Sequence, residues 1–138
     1  MTDGNRITGT IRPGLGEGSA FMSLNWVRQV LRERLGFTPY PATLNLRLDS
    51  AEEVSRWQEI RDQRGGVEIP PPDPSFCAAR CWHARVKATG GEGKQLSGAV
   101  LLPLVEDYPA DKIEFIAPTR VREALGARDG DSLTLEFL

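Results

Sequence analysis

Apolar residues recur along this chain with two different periods, and the two-residue period dominates. RITGTIR (residues 6–12) puts Ile7 and Ile11 on one side of a two-residue repeat with Gly9 between them, which predicts a short strand approached closely by another backbone. The period then lengthens. Leu24, Val27, Leu31 and Leu35 fall at helical spacing, Ser23 stands ready as a cap, Arg28, Arg32 and Arg34 face outward, and Gly36 supplies the stop. FTPYPA is a stiff connector, because Pro39 and Pro41 fix their own φ and restrict their neighbours. In TLNLRL, Leu44, Leu46 and Leu48 point one way and Thr43, Asn45 and Arg47 the other. A second helix opens on Ser50 and Glu53, the two ends of a capping box, and carries a modest stripe of Val54, Trp57 and Ile60 or Arg61.

After the proline-rich loop IPPPDPS, strand patterns return. SFCAARCWHARVKA reads as a long strand, TGGEGKQ as a hairpin-like turn, LSGAVLLPL as a buried strand, VEDYPAD as a polar loop and KIEFIA as another alternating strand. TRVREALGA is a short helix. Asp129-Gly130 is a tight turn favouring positive φ, and SLTLEFL turns Leu133, Leu135 and Phe137 inward. Six or seven strands with two or three short helices, not regularly alternating, exclude a doubly wound parallel fold. The pattern predicts a mainly β chain: one domain over residues 1–138, a small barrel with helical insertions.

Composition narrows the function. Of 138 residues, 40% are hydrophobic and 26% charged, which is ordinary globular composition. The net charge of −2 argues against a nucleic-acid partner, which would call for a basic face. No apolar run has membrane-spanning length, and MTDGNRITGT has no apolar signal core, so the expected location is cytoplasmic. Cys77 and Cys81 stand too far apart along one strand for a disulfide or a shared metal ion, and read as small packing residues.

The candidate chemistry begins at GLGEGS, residues 14–19. A P-loop requires a Lys after its last glycine, and a dinucleotide fingerprint requires its third glycine three residues after the second, where Ser19 stands here, inside a βαβ unit; neither pattern is met. The physics behind both motifs survives, because glycines let backbone N–H groups converge on a phosphate. Read in order, TGTIRPGLGEGSAFMSL, LGFTPYPATLNLRL and DKIEFIAPTRVREALGARDGDSL resemble the archaeal-type, CTP-dependent riboflavin kinases. The likeness runs from about residue 6 to the end and is weakest between residues 50 and 95.

That resemblance implies a compact six-stranded cradle-loop barrel, and transfer of the γ-phosphoryl of CTP to the 5′-hydroxyl of riboflavin, giving FMN and CDP. It places nucleotide contacts on Gly14, Leu15, Gly16, Glu17, Gly18 and Ser19 and on Thr119, Arg120, Val121 and Arg122. It implies Mg²⁺ on Thr43 and Asn45, and flavin contacts on Glu106 and Glu114, with Glu114 also the candidate to assist deprotonation of the 5′-hydroxyl. The partners it implies are riboflavin or FMN and CTP or CDP, with no membrane, in a monomer or small homo-oligomer.

Two positions depart from the family pattern. The glycine of its P-G-T-L-N strand is Ala42, and its flavin-loop Arg-Thr falls on Val105 and Glu106. The second departure supports an alternative: a retasked relative that binds a nucleotide or flavin without turnover. A swapped-hairpin transcription factor, suggested by VREALGARDGDSLTLEF, is the third reading; the acidic pI and the lack of a helix-turn-helix segment count against it.

Overall fold

The structure is a computed structural model, and it describes residues 3–13, 24–71, 77–89 and 93–138. After a 3₁₀ turn at Asp3–Asn5, the order is β1 (Arg6–Arg12), α1 (Asn25–Leu35), β2 (Leu44–Leu48), α2 (Ala51–Gln63), β3 (Val67–Ile69), β4 (Ala79–Ala88), β5 (Leu96–Pro103), β6 (Lys112–Ile116), α3 (Val121–Leu125) and β7 (Ser132–Phe137). The strands run in the order β3-β4-β5-β6-β2-β1-β7, and β4 also pairs with β7. That last pairing closes β4, β5, β6, β2, β1 and β7 into a six-stranded antiparallel barrel, with β3 an extra strand beside β4. Closure removes the free edges that a small open sheet would expose.

The alternating residues fill the barrel. Ile7, Ile11, Leu44, Leu46, Leu48, Leu133, Leu135 and Phe137 are buried in one cluster with Phe115 and Val86. Trp57 and Ile60 of α2 join the same cluster, as does Val121 of α3. Side chains from helices reach the interior of a closed barrel through its ends. α2 follows Leu48 and α3 follows Ile116, and the antiparallel β2–β6 register puts those residues at opposite ends. The two helices therefore plug the two ends. A second cluster lies outside the wall, where Val27, Leu31 and Leu35 of α1 cover Cys81, Leu101 and Ile116.

Gly36 closes α1 with φ 87°, as its position foretold, and Gly130 takes φ 90° in the turn before β7. The close approach expected at Gly9 is present: a Cβ there would stand 3.0 Å from the Arg47 carbonyl oxygen. Three expectations need correction. Leu24 is exposed, because the helix begins at Asn25 with Leu24 in the cap position, and no side chain caps it; Ser23 lies outside the described residues. The capping box is half made. The Ser50 hydroxyl accepts from the Glu53 N–H at 3.3 Å, but the Glu53 carboxylate turns away and accepts from the Thr8 N–H of β1 at 2.7 Å. Finally, Cys77 is exposed whereas Cys81 is buried, because the strand begins only at Ala79.

Candidate functional site

The strand register builds one row of side chains across the outer wall. Arg12 of β1 stands opposite Asn45 of β2, and Asn45 stands opposite Glu114 of β6. Residues paired this way project from the same face with Cβ atoms about 5 Å apart. Thr43 precedes Asn45 by two positions and shares that face. Its hydroxyl donates to Oε1 of Glu114 at 3.2 Å. The Asn45 side chain is half-buried and makes no hydrogen bond among the described residues.

Glu114 is the buried carboxylate of this wall, 9% exposed. Its second oxygen accepts from the Tyr108 hydroxyl at 2.6 Å, a short charge-assisted bond. Burial, then the hydrogen bond to Glu114, push the Tyr108 phenol well above the usual tyrosine range, so the phenol remains a donor at any physiological pH. Two donors thus fix the carboxylate from either side.

Two concavities, one lined by the Asn45 that pairs with Glu114 and the other by its partner Tyr108, share Pro109 as a wall. One, of about 310 Å³, is lined by Arg12, Pro13, Asn45, Arg47, Asp111 and Lys112. Arg47 pairs with Asp111 at 3.1 Å, while Lys112 lies over the Tyr108 ring at 5.3 Å and Arg12 has no ion pair among the described residues. Two cations therefore border the space beside Asn45 without a carboxylate of their own. The other concavity, of about 330 Å³, lies between α2 and the segment after β5, and includes Arg61, Glu106 and Tyr108 in its lining.

The start of α3 reaches the same wall. Arg122 donates to the Arg12 carbonyl at 3.4 Å and pairs with Asp129 at 2.5 Å. Thr119 and Arg120 are exposed, with Arg120 paired to Glu123 at 3.0 Å. Val121 is buried, so only its main chain is available to a ligand. The structure thus brings together Thr43, Asn45 and Glu114, and ties Arg122 to the end of β1. Glu106 is exposed and lines the second concavity, as does Tyr108, the partner of Glu114. Gly14, Leu15, Gly16, Glu17, Gly18 and Ser19 lie outside the described residues; Arg12 and Pro13, which lead into them, line the first concavity.

Sequence reasoning missed Tyr108, Lys112, Arg12 and Arg61. Tyr108 sits in VEDYPAD, a polar loop by composition, and only the fold carries its hydroxyl to Glu114. Ala42 was identified as a departure from glycine; it adopts an ordinary negative φ, which any residue tolerates.

A family comparison decides the ancestry. Residues 11–137 match the model CTP-dep_RFKase, described as "Domain of unknown function DUF120". The chain belongs to this family. It is 39% identical over 132 residues to a riboflavin kinase of Pyrobaculum islandicum, a match covering 96% of this chain and 60% of that protein. It is 33% identical over 135 residues to a riboflavin kinase of Archaeoglobus fulgidus, covering 54% of that protein. A riboflavin kinase of Aeropyrum pernix is 37% identical over 131 residues, and there the match covers 93% of the relative. The chain therefore spans about 60% of the length of the Pyrobaculum relatives it matches, and nearly all of the Aeropyrum one. The matched residues 11–137 take in most of this chain's barrel, including the wall that carries Asn45 and Glu114.

Proposed function

We propose that this chain is a riboflavin kinase that uses CTP and Mg²⁺, transferring the γ-phosphoryl group to the riboflavin 5′-hydroxyl and releasing FMN and CDP. One observation supports it above the rest: the row Arg12–Asn45–Glu114, with Thr43 on Glu114 and Arg122 on Arg12, joins the two segments expected to hold metal and nucleotide.

The donor set suits a hard cation. Thr43 and Asn45 offer neutral oxygens, and phosphate oxygens would complete the shell, as is usual for Mg²⁺. Because the Thr43 hydroxyl spends its proton on Glu114, its lone pairs are left to face a cation. Bound there, Mg²⁺ would neutralise phosphate charge.

The protein's own part is alignment and electrostatics. Arg12 and Lys112 supply positive charge to offset the negative charge on the transferred group, and the main-chain amides of residues 14–19 hold the nucleotide. Glu114, held by Thr43 and Tyr108, receives the proton of the 5′-hydroxyl. The oxygen–phosphorus bond to riboflavin forms as the bond from the γ-phosphorus to the β-bridging oxygen breaks, and CDP leaves. The α3 end of the wall would carry the donor, and the α2 end the acceptor.

Chromatography of a mixture of chain, riboflavin, Mg²⁺ and either CTP or ATP tests this. FMN formed from CTP in preference to ATP is the expected result. Saturable binding of nucleotide or flavin with no FMN from either nucleotide would overturn it in favour of a retasked relative, the reading that Val105 and Glu106 favour.

A further inference from the structure

The polar side of α1 takes no part in the phosphoryl chemistry above. Val27, Leu31 and Leu35 turn the apolar side of this helix onto the barrel wall. Its other side borders a cavity of about 660 Å³, within the size range of small-molecule pockets. Asn25, Arg28, Gln29, Arg32 and Glu33 line it, with Thr38 of the connector that follows. None of these residues lines either of the concavities that share Pro109.

Arg28 and Arg32 stand four positions apart, so the helix sets their Cβ atoms about 6 Å from one another on one face. Like charges at this spacing repel and weaken a helix. Neither side chain has a hydrogen bond or an ion pair among the described residues. Glu33, the carboxylate of the lining, accepts from Gln29 Nε2 at 3.4 Å and pairs with neither arginine. Arg28 is half-buried, and its Nε is sealed from solvent with no acceptor. Native structures rarely leave a buried donor unsatisfied. An anion seated between the two guanidiniums would satisfy that donor and offset the repulsion at once.

The pair of cations selects the kind of anion. A carboxylate carries one charge and offers oxygens enough for one guanidinium fork. A phosphate monoester carries about two negative charges at neutral pH and three acceptor oxygens, enough to engage two forks. Asn25, Gln29 and Thr38 add neutral donors and acceptors for the uncharged remainder of such a ligand.

We propose that this cavity is a separate anion site, which takes the phosphate group of a small phosphate monoester between Arg28 and Arg32. It does not rest on the kinase reading, which FMN formation decides by itself. Free phosphate shares the chemistry, so the test carries both. Isothermal titration at fixed ionic strength, with CDP and Mg²⁺ in excess to occupy the wall, measures inorganic phosphate and phenyl phosphate on wild type and on the double variant Arg28→Gln/Arg32→Gln. Both probes should bind the wild type saturably, phenyl phosphate more tightly, and both dissociation constants should rise about tenfold or more in the double variant. Inorganic phosphate binding as tightly as phenyl phosphate, with the same dependence on the arginines, would overturn the monoester in favour of the free ion. Unchanged affinity in the double variant, or no saturable binding of either probe, would overturn the site. A thermal melt without either probe should give the double variant a melting temperature equal to or above that of the wild type, because a repulsion has been removed. A marked fall would show that the arginines serve the fold, and would also overturn the site.

Discussion

Asn45 stands on the outer wall with its amide unbonded among the described residues, between an arginine and a buried carboxylate. Nothing in the packing of the barrel depends on that amide. Asn45→Ala should therefore reduce Mg²⁺-dependent turnover by about 10²-fold while the melting temperature moves by no more than about 2 °C. Initial rates across a Mg²⁺ titration, beside a thermal melt, check both halves. Gly98 is the opposite case: it serves packing alone. A Cβ there would lie 2.1 Å from the Ile116 carbonyl oxygen and 2.7 Å from the Phe115 ring, so Gly98→Ala should cost about 3 kcal/mol or more in denaturant unfolding. Burial pushes the Cys81 thiol from 9.0 up to about 12, whereas Cys77 is exposed. A thiol reagent at pH 8 should thus label one cysteine in the native chain and two after denaturation. The sign of the linkage follows: a thiol pKa raised by folding contributes stability that is complete below pH 9.0 and lost as pH rises toward about 12. These residues were unequally legible. Asn45 and Glu114 were marked as candidates by a family pattern, but the packing role of Gly98 was invisible, because its neighbours Phe115 and Ile116 lie on another strand.

Among the elements, α2 does two things at once. Its apolar stripe plugs one end of the barrel through Trp57 and Ile60, and its first turn repairs the edge of β1. β2 pairs with β1 only from Gly9 onward, which leaves the Thr8 N–H to the Glu53 carboxylate. Glu53→Ala removes that acceptor and should cost about 1–3 kcal/mol, read by urea unfolding; Glu53→Gln, which keeps an acceptor oxygen, should cost less. The Ser50–Glu53 spacing announced the helix start correctly, yet it could not show that a strand 45 residues earlier would claim the carboxylate. Strong two-residue alternation made β2, β6 and β7 plain. β3 escaped notice because three residues, Val67 to Ile69, hold no period, and its pairing with β4 alone defines it.

At the scale of the whole molecule, closure of the sheet converts distant segments into one wall. The β4–β7 pairing rolls the sheet so that β1, β2 and β6 present Arg12, Asn45 and Glu114 side by side, drawn from positions separated by most of the chain. Barrel topology was legible from strand count and alternation. The partnership of Tyr108 with Glu114, and of Arg61 with the cavity near it, was not, since both depend on where a polar loop and a helix end come to rest. The claim on which the functional account turns is spatial: one nucleotide with its Mg²⁺ must touch residues 119–122 and the Thr43–Asn45 strand together. Crystals of the chain grown or soaked with CDP and Mg²⁺ measure this directly. The account predicts nucleotide density running from residues 119–122 past Arg12, with a metal ion on Thr43 and Asn45; nucleotide bound elsewhere on the barrel, with that wall bare, would contradict it.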